Sequence, residues 1–158
     1  MNTENITGSA IFSSDGRYRY VLRREWNAHS PGVLFIGLNP STADASRNDP
    51  TIRRLIGFAH RWGYGHLVVA NLYAYCTPYP GTLFQCAEPV GKENDRWLSH
   101  LVKQYKTTVL IYGNQARKGD RHLVLLPMVP QPYCIRISKA GMPMHPLYLP
   151  YTSEPIPF

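Results

Sequence analysis

Four short apolar runs, Val33–Ile36, Leu67–Ala70, Val109–Tyr112 and Cys134–Ile137, constrain this chain more than any other feature, because they are continuous rather than alternating, broken only by Arg136 in the last. Strands covered on both faces read this way, and the covering elements are crossover helices. Two intervening segments have the required helical period: Thr51–Arg61 through Ile52, Leu55, Ile56 and Ala59, and Asn94–Tyr105 through Trp97, Leu98, Leu101, Val102 and Tyr105. Right-handed crossovers make successive strands parallel and gather the residues that follow them, Asn39, Asn71, Asn114 and His145, at one edge of the sheet. Open α/β sheets bind ligands at that edge. The expected fold class is therefore α/β, a three-layer α/β/α sandwich around a mainly parallel sheet.

Two flanking segments qualify this scheme. Ala10–Ser13 and Tyr18–Leu22 surround Ser14-Asp15-Gly16-Arg17, a hairpin signal, so residues 10–22 are expected to add an edge to the sheet. The stretch Cys76–Pro89 holds Pro78, Pro80, Gly81 and Pro89 among aromatics and reads as an ordered loop beside the crevice. Pro127, Pro130 and Pro132 limit any helix after Gly119, and the proline-rich tail Pro146–Phe158 reads as extended chain.

A length of 158 residues suits one domain over 1–158, with a core at 33–150. The polar opening Met1–Gly8 lacks the pattern of a signal peptide, and no apolar run is long enough to cross a bilayer, so a cytoplasmic protein without a membrane partner is expected. Seventeen Lys and Arg against ten Asp and Glu give a formal charge of +7, which favours a polyanionic partner as much as plain solubility. Cys76, Cys86 and Cys134 are odd in number and widely spaced, which reads as reduced thiols and not as a metal or iron–sulfur site. No cofactor, metal or obligate protein partner is expected.

The segments at the proposed edge resemble the uracil-DNA glycosylase superfamily. Gly37-Leu38-Asn39-Pro40-Ser41 looks like its first motif, Asn71 stands where it ends a strand with a base-reading asparagine, Val109–Gly113 is similar to its Leu-Leu-Trp-Gly strand, and His145-Pro146 resembles its closing His-Pro. The order and spacing agree. Gly37–Asp44, Asn48-Asp49-Pro50-Thr51 with Arg53 and Arg54, and His145–Leu149 together look like a small bacterial and phage domain family of unassigned function, over roughly Ala10 to Pro150. The first resemblance implies a glycosylase-like fold and metal-independent excision of a base from DNA.

Base excision needs an extruded base, a polar edge to read it, a positioned water and stabilisation of the leaving group. The resemblance implies that Asn71 reads the base, Asn39 holds the water, and His145 bonds the departing base. Asp49, or alternatively Asp44, would stabilise a cation-like sugar, and Gly37, Leu38, Pro40 and Ser41 would wall the pocket. Tyr73 and Tyr112 are stacking candidates, Leu147 or Tyr148 a wedge, and Arg53, Arg54, Arg117, Lys118 and Lys139 phosphate contacts. Each has a structural alternative. Asn71 also suits a strand end, Asp49 before Pro50 a helix N-cap, His145 a structural site, the tyrosines core packing and the cations a solvated surface.

Strict uracil enzymes of the superfamily carry a bulky tyrosine that bars 5-substituted pyrimidines, where this chain has the small Ser41. Leu147 replaces the usual serine of the closing motif. A modified pyrimidine such as glucosylated hydroxymethylcytosine of phage DNA is therefore the expected substrate, and its excision an antiviral defence. The alternatives are a nucleoside- or nucleotide-processing hydrolase or transferase and a non-catalytic reader of modified bases; a structural partner protein would leave the ordered motifs unexplained.

Overall fold

The computed structural model describes residues 5–158, so the first half of the polar opening lies outside the described residues. The described residues fold as α/β, with seven strands in one mixed sheet and four α-helices. The strands are β1 (Thr7–Phe12), β2 (Arg19–Glu25), β3 (Gly32–Gly37), β4 (His66–Asn71), β5 (Thr108–Leu110), β6 (Pro132–Cys134) and β7 (Ile156–Pro157), in the order β1-β2-β4-β3-β5-β6-β7. The helices are α1 (Pro50–Arg61), α2 (Pro80–Gln85), α3 (Asn94–Gln104) and α4 (Arg121–Leu125).

The continuous apolar runs form the centre, where β4, β3, β5 and β6 pair in parallel. Each border is antiparallel: β1 with β2, β2 with β4, and β6 with β7. The expectation of a mainly parallel sheet thus gives way to a mixed one. A hairpin closed by a tight turn at Asp15-Gly16 runs back on itself, and so does the returning tail.

Strand residues divide between two cores by parity. Leu34, Ile36, Val68, Ala70 and Leu110 meet Leu98, Leu101 and Val102 of α3 and Leu125 of α4. Val33, Phe35, Leu67, Val69 and Val109 meet Ile52, Leu55, Ile56, Phe58 and Ala59 of α1. A fully buried Leu or Phe of this kind stabilises the fold by about 1.5–3 kcal/mol relative to exposure. Helix α1 begins where Asp49 Oδ1 accepts from Ile52 N at 2.9 Å with Pro50 in the first turn. It ends at Gly63, whose φ of +87° allows the paired bonds Gly63 N to His60 O and Tyr64 N to Ala59 O.

The two later runs give shorter strands than their apolar length. The chain leaves the sheet after Leu110, and β6 ends at Cys134, beyond which Ile137 makes only an isolated bridge to Pro143. The proline-bearing loop after Cys76 contains α2, and the tail holds a short 3-10 turn at Pro146–Tyr148 before β7. No helix among the described residues is long and apolar enough to cross a membrane.

Candidate functional site

A cavity of about 550 Å³ opens beyond the carboxyl ends of β3, β4 and β5, within the range of about 300–1,000 Å³ usual for ligand pockets. Gly37–Ser41, Asp49, Asn71, Tyr112 and His145 all line it, with Leu147 and Tyr148 at its rim. Residues brought from separate strands therefore meet in one place.

The Gly37–Pro40 segment is held by continuing the β3–β4 ladder past the strand ends: Leu72 N donates to Gly37 O, Tyr73 N to Leu38 O and Thr77 N to Pro40 O, each at 2.9–3.0 Å. Asn39 joins this lattice. Its Nδ2 donates to Thr77 O at 2.9 Å and to Pro40 O at 3.0 Å. The amide's donors are thus engaged by backbone, and Oδ1 is what remains to accept a hydrogen bond from a water or ligand in the cavity.

Asn71 is 3% exposed, and its Nδ2 has no hydrogen-bond partner among the described residues. A buried, unpaired donor of this kind costs about 1–3 kcal/mol, so in a cavity wall it is a ready donor to a water or a ligand group. Gly37 makes room for it: a Cβ there would lie 2.7 Å from Asn71 Oδ1. Behind it, the buried Asn94 donates through Nδ2 to Asn71 O and Leu72 O, fixing the backbone at the strand end.

His145 caps the turn that follows it. Its Nδ1 accepts from Leu147 N at 3.3 Å, which assigns the remaining proton of the neutral ring to Nε2 and leaves that N–H as a donor. Burial holds its pKa below the usual 6.5, against an opposing pull from the Asp49 charge. Below pH 6.5 the unfolded chain takes up this proton before the folded one does, so stability is present above that pH and declines on acidification until the folded ring also charges. His66 is shifted in the same direction, also by burial. Melting temperature is expected to fall below about pH 6.5, and His145→Gln to shrink the decline; an unchanged profile would contradict this. Protonation also removes the Nδ1 acceptor from Leu147 N, so the turn at Pro146–Tyr148 loses that bond on the same acid side.

Asp49 is buried and serves the helix as a cap, as one reading of Asn48-Asp49-Pro50 required, while also lining the cavity. An asparagine caps as well as an aspartate. Asp49→Asn should therefore leave stability within a few tenths of a kcal/mol while removing the charge, whereas Asp49→Ala should cost about 1 kcal/mol in thermal unfolding. Asp44, the alternative carboxylate, is outside the cavity lining; its Oδ1 accepts from Ser46 N and Arg47 N, which lowers its pKa.

Other expected site residues stand elsewhere. Tyr73 is buried in the core, edge-on to Phe84 at 5.7 Å, and does not line the cavity, so packing takes the place of stacking on a base. Tyr112 does line it, with a buried hydroxyl that lacks a partner among the described residues and a pKa pushed up to about 12 by burial. Arg54 donates to Pro146 O and Leu149 O and lies 3.9 Å over the Tyr151 ring, so it anchors the His145 loop instead of facing a phosphate. Arg53 is exposed on α1 and donates to Asn48 O, away from the cavity lining. Arg117, Lys118 and Lys139 are exposed on segments adjoining the lining residues Gln115 and Ser138.

Sequence reasoning missed Arg19, Thr77, Gln115 and Ser138 as lining residues. Ser138 Oγ donates to Asn114 Oδ1 at 2.6 Å, joining two loops of the rim, a contact without a local sequence signal. Among the described residues no three His, Cys, Asp or Glu side chains gather as a metal-ligand group, and the three cysteines are free.

Residues 19–147, which include every cavity-lining segment except Tyr148, match the family described as protein of unknown function, DUF1643. The chain belongs to the DUF1643 family. The DUF1643 match runs from Arg19 at the start of β2 to Leu147 at the cavity rim. No curated protein and no solved structure matches the chain.

Proposed function

We propose that this chain is a DNA glycosylase that hydrolyses the N-glycosidic bond of a 5-substituted pyrimidine and leaves an abasic site. The reading rests on the buried Asn71 amide, unpaired at Nδ2 in the wall of a cavity that also holds Asn39, Asp49 and His145. The central parallel strands with helices against both faces support a uracil-DNA glycosylase-like three-layer arrangement, edged by antiparallel strands.

In this reading the extruded base enters the cavity and pairs its polar edge with Asn71, whose amide can donate and accept together. The bond from C1′ to the base breaks first. His145 Nε2–H donates to a carbonyl oxygen of the base as it gains negative charge, and Asp49 faces the cation-like sugar. Water held by Asn39 Oδ1 then forms the new bond at C1′, and its released proton neutralises the departed base. Ser41 leaves the 5-position open, which suits bulky phage-type substituents and an antiviral role in a bacterial cytoplasm. Tyr148, 80% exposed, and Leu147, 40% exposed, fill the gap in the stack in this reading. Arg117, Lys118 and Lys139 supply phosphate contacts.

A second reading, a non-catalytic reader of modified bases, is favoured by one observation: Asn39 Nδ2 and Asp49 Oδ1 are already bonded to backbone. Oligonucleotides carrying uracil, 5-methylcytosine, hydroxymethylcytosine or its glucosylated form, incubated with the protein and then heated in alkali, separate the two. Cleavage at a modified pyrimidine supports excision, and retention of every base with specific binding supports the reader.

A further inference from the structure

Strand β2 contains a β-bulge whose effect reaches the cavity. Ile11 pairs with Val21 and Phe12 with Arg19, which leaves Tyr20 as an extra residue. Tyr20 and Val21 consequently both pack in the α3-side core, and the alternation is reversed beyond them. Arg19 is thereby turned to the α1 side, where its Nη1 donates to Ala43 O at 3.1 Å and the residue lines the cavity.

Two arginines of β2 are 2% exposed, and they differ in how they are satisfied. Arg24 donates from Nε to Asn48 Oδ1 and from its terminal nitrogens to Arg23 O, Asp44 O and Arg47 O, a fully engaged structural group. Arg19 has only Ala43 O, its Nε is buried without a partner, and no carboxylate among the described residues lies within ion-pair distance. Burial lowers its pKa to about 10, so it stays charged at neutral pH, with Asp49 as a more distant counter-charge. A guanidinium is all donors and has a planar fork, so its complement is a ligand group rich in oxygen acceptors.

We infer that Arg19 is a specificity-determining residue of the cavity, which binds an oxygen-bearing substituent of the ligand through its unpartnered donors. Ala43 follows Ser41 by two residues, so the guanidinium lies behind the loop that borders the base's 5-position; this placement of the substituent rests on the base-excision reading. Within it, Ser41 gives space and Arg19 supplies recognition.

The test is equilibrium binding to DNA carrying 5-methylcytosine, hydroxymethylcytosine, its glucosylated form or 5-carboxylcytosine, and to the same free deoxynucleosides, with base release measured alongside. The wild-type chain should prefer at least one oxygenated base to 5-methylcytosine by about tenfold or more, and Arg19→Met should bring that ratio near one without weakening 5-methylcytosine binding. A preference led by the carboxylate identifies an anion as the complement, and one led by the glucosylated base a sugar. Arg19→Lys keeps charge but not the fork; should the Met variant fail to fold, a reduced ratio in the Lys variant supports the assignment. An unchanged ratio in a folded variant, or no preference in the wild type, overturns it. Base release with an unchanged ratio overturns the Arg19 assignment alone, whereas a ratio lost with Arg19→Met and no base release by the wild type overturns excision alone.

Discussion

Replacing His145 with alanine should slow base release by about 10²–10³-fold while DNA binding stays within a few-fold of wild type. The ring's one free donor, Nε2–H, belongs to a residue that lines the cavity, and its charge acceptor exists only as the base departs. A bond made only in the transition state affects the chemical step and not ground-state affinity. His145→Gln restores a donor and keeps the backbone turn, so it should recover part of the rate. Equal losses for the two variants, together with a lowered melting temperature, would assign His145 to holding the Pro146–Tyr148 turn and nothing more.

Asn71→Leu should abolish base discrimination and lower activity by at least about 10²-fold, yet leave the protein as stable as before or up to roughly 1 kcal/mol more stable. The asparagine carries a buried donor without a partner, so an apolar side chain of similar shape removes a cost and not a bond. Most core substitutions destabilise by about 1 kcal/mol. A function lost together with a gain or parity in melting temperature therefore marks a group kept for its ligand. A loss of stability of several kcal/mol would instead mark Asn71 as a strand-end cap, the alternative its position also suggested.

Residues buried on both faces made the centre of the sheet readable. Val33–Ile36 and Leu67–Ala70 correspond to β3 and β4, and Asn48-Asp49-Pro50 marked the start of α1 through capping chemistry that is local to three residues. Strand direction at the borders was less legible, because β2 and β7 join the sheet through pairings set by distant partners. The same division holds at the cavity. Motif order brought Asn39, Asn71 and His145 together, but the donors of Asn39 are taken by Thr77 O and Pro40 O, and Arg54 by the carbonyls at 146 and 149. A period of two assigns Arg19 to the wrong face unless the bulge at Tyr20 is known.

Mass spectrometry of the products formed from glucosylated-hydroxymethylcytosine DNA in heavy-oxygen water tests the central claim most directly. Base excision at this cavity predicts the intact free base without label, one heavy oxygen at the sugar of the abasic site, and loss of both signals in Asn71→Leu. Recovery of unaltered DNA by the folded wild-type protein across modified pyrimidines, or label in the base instead of the sugar, would contradict it.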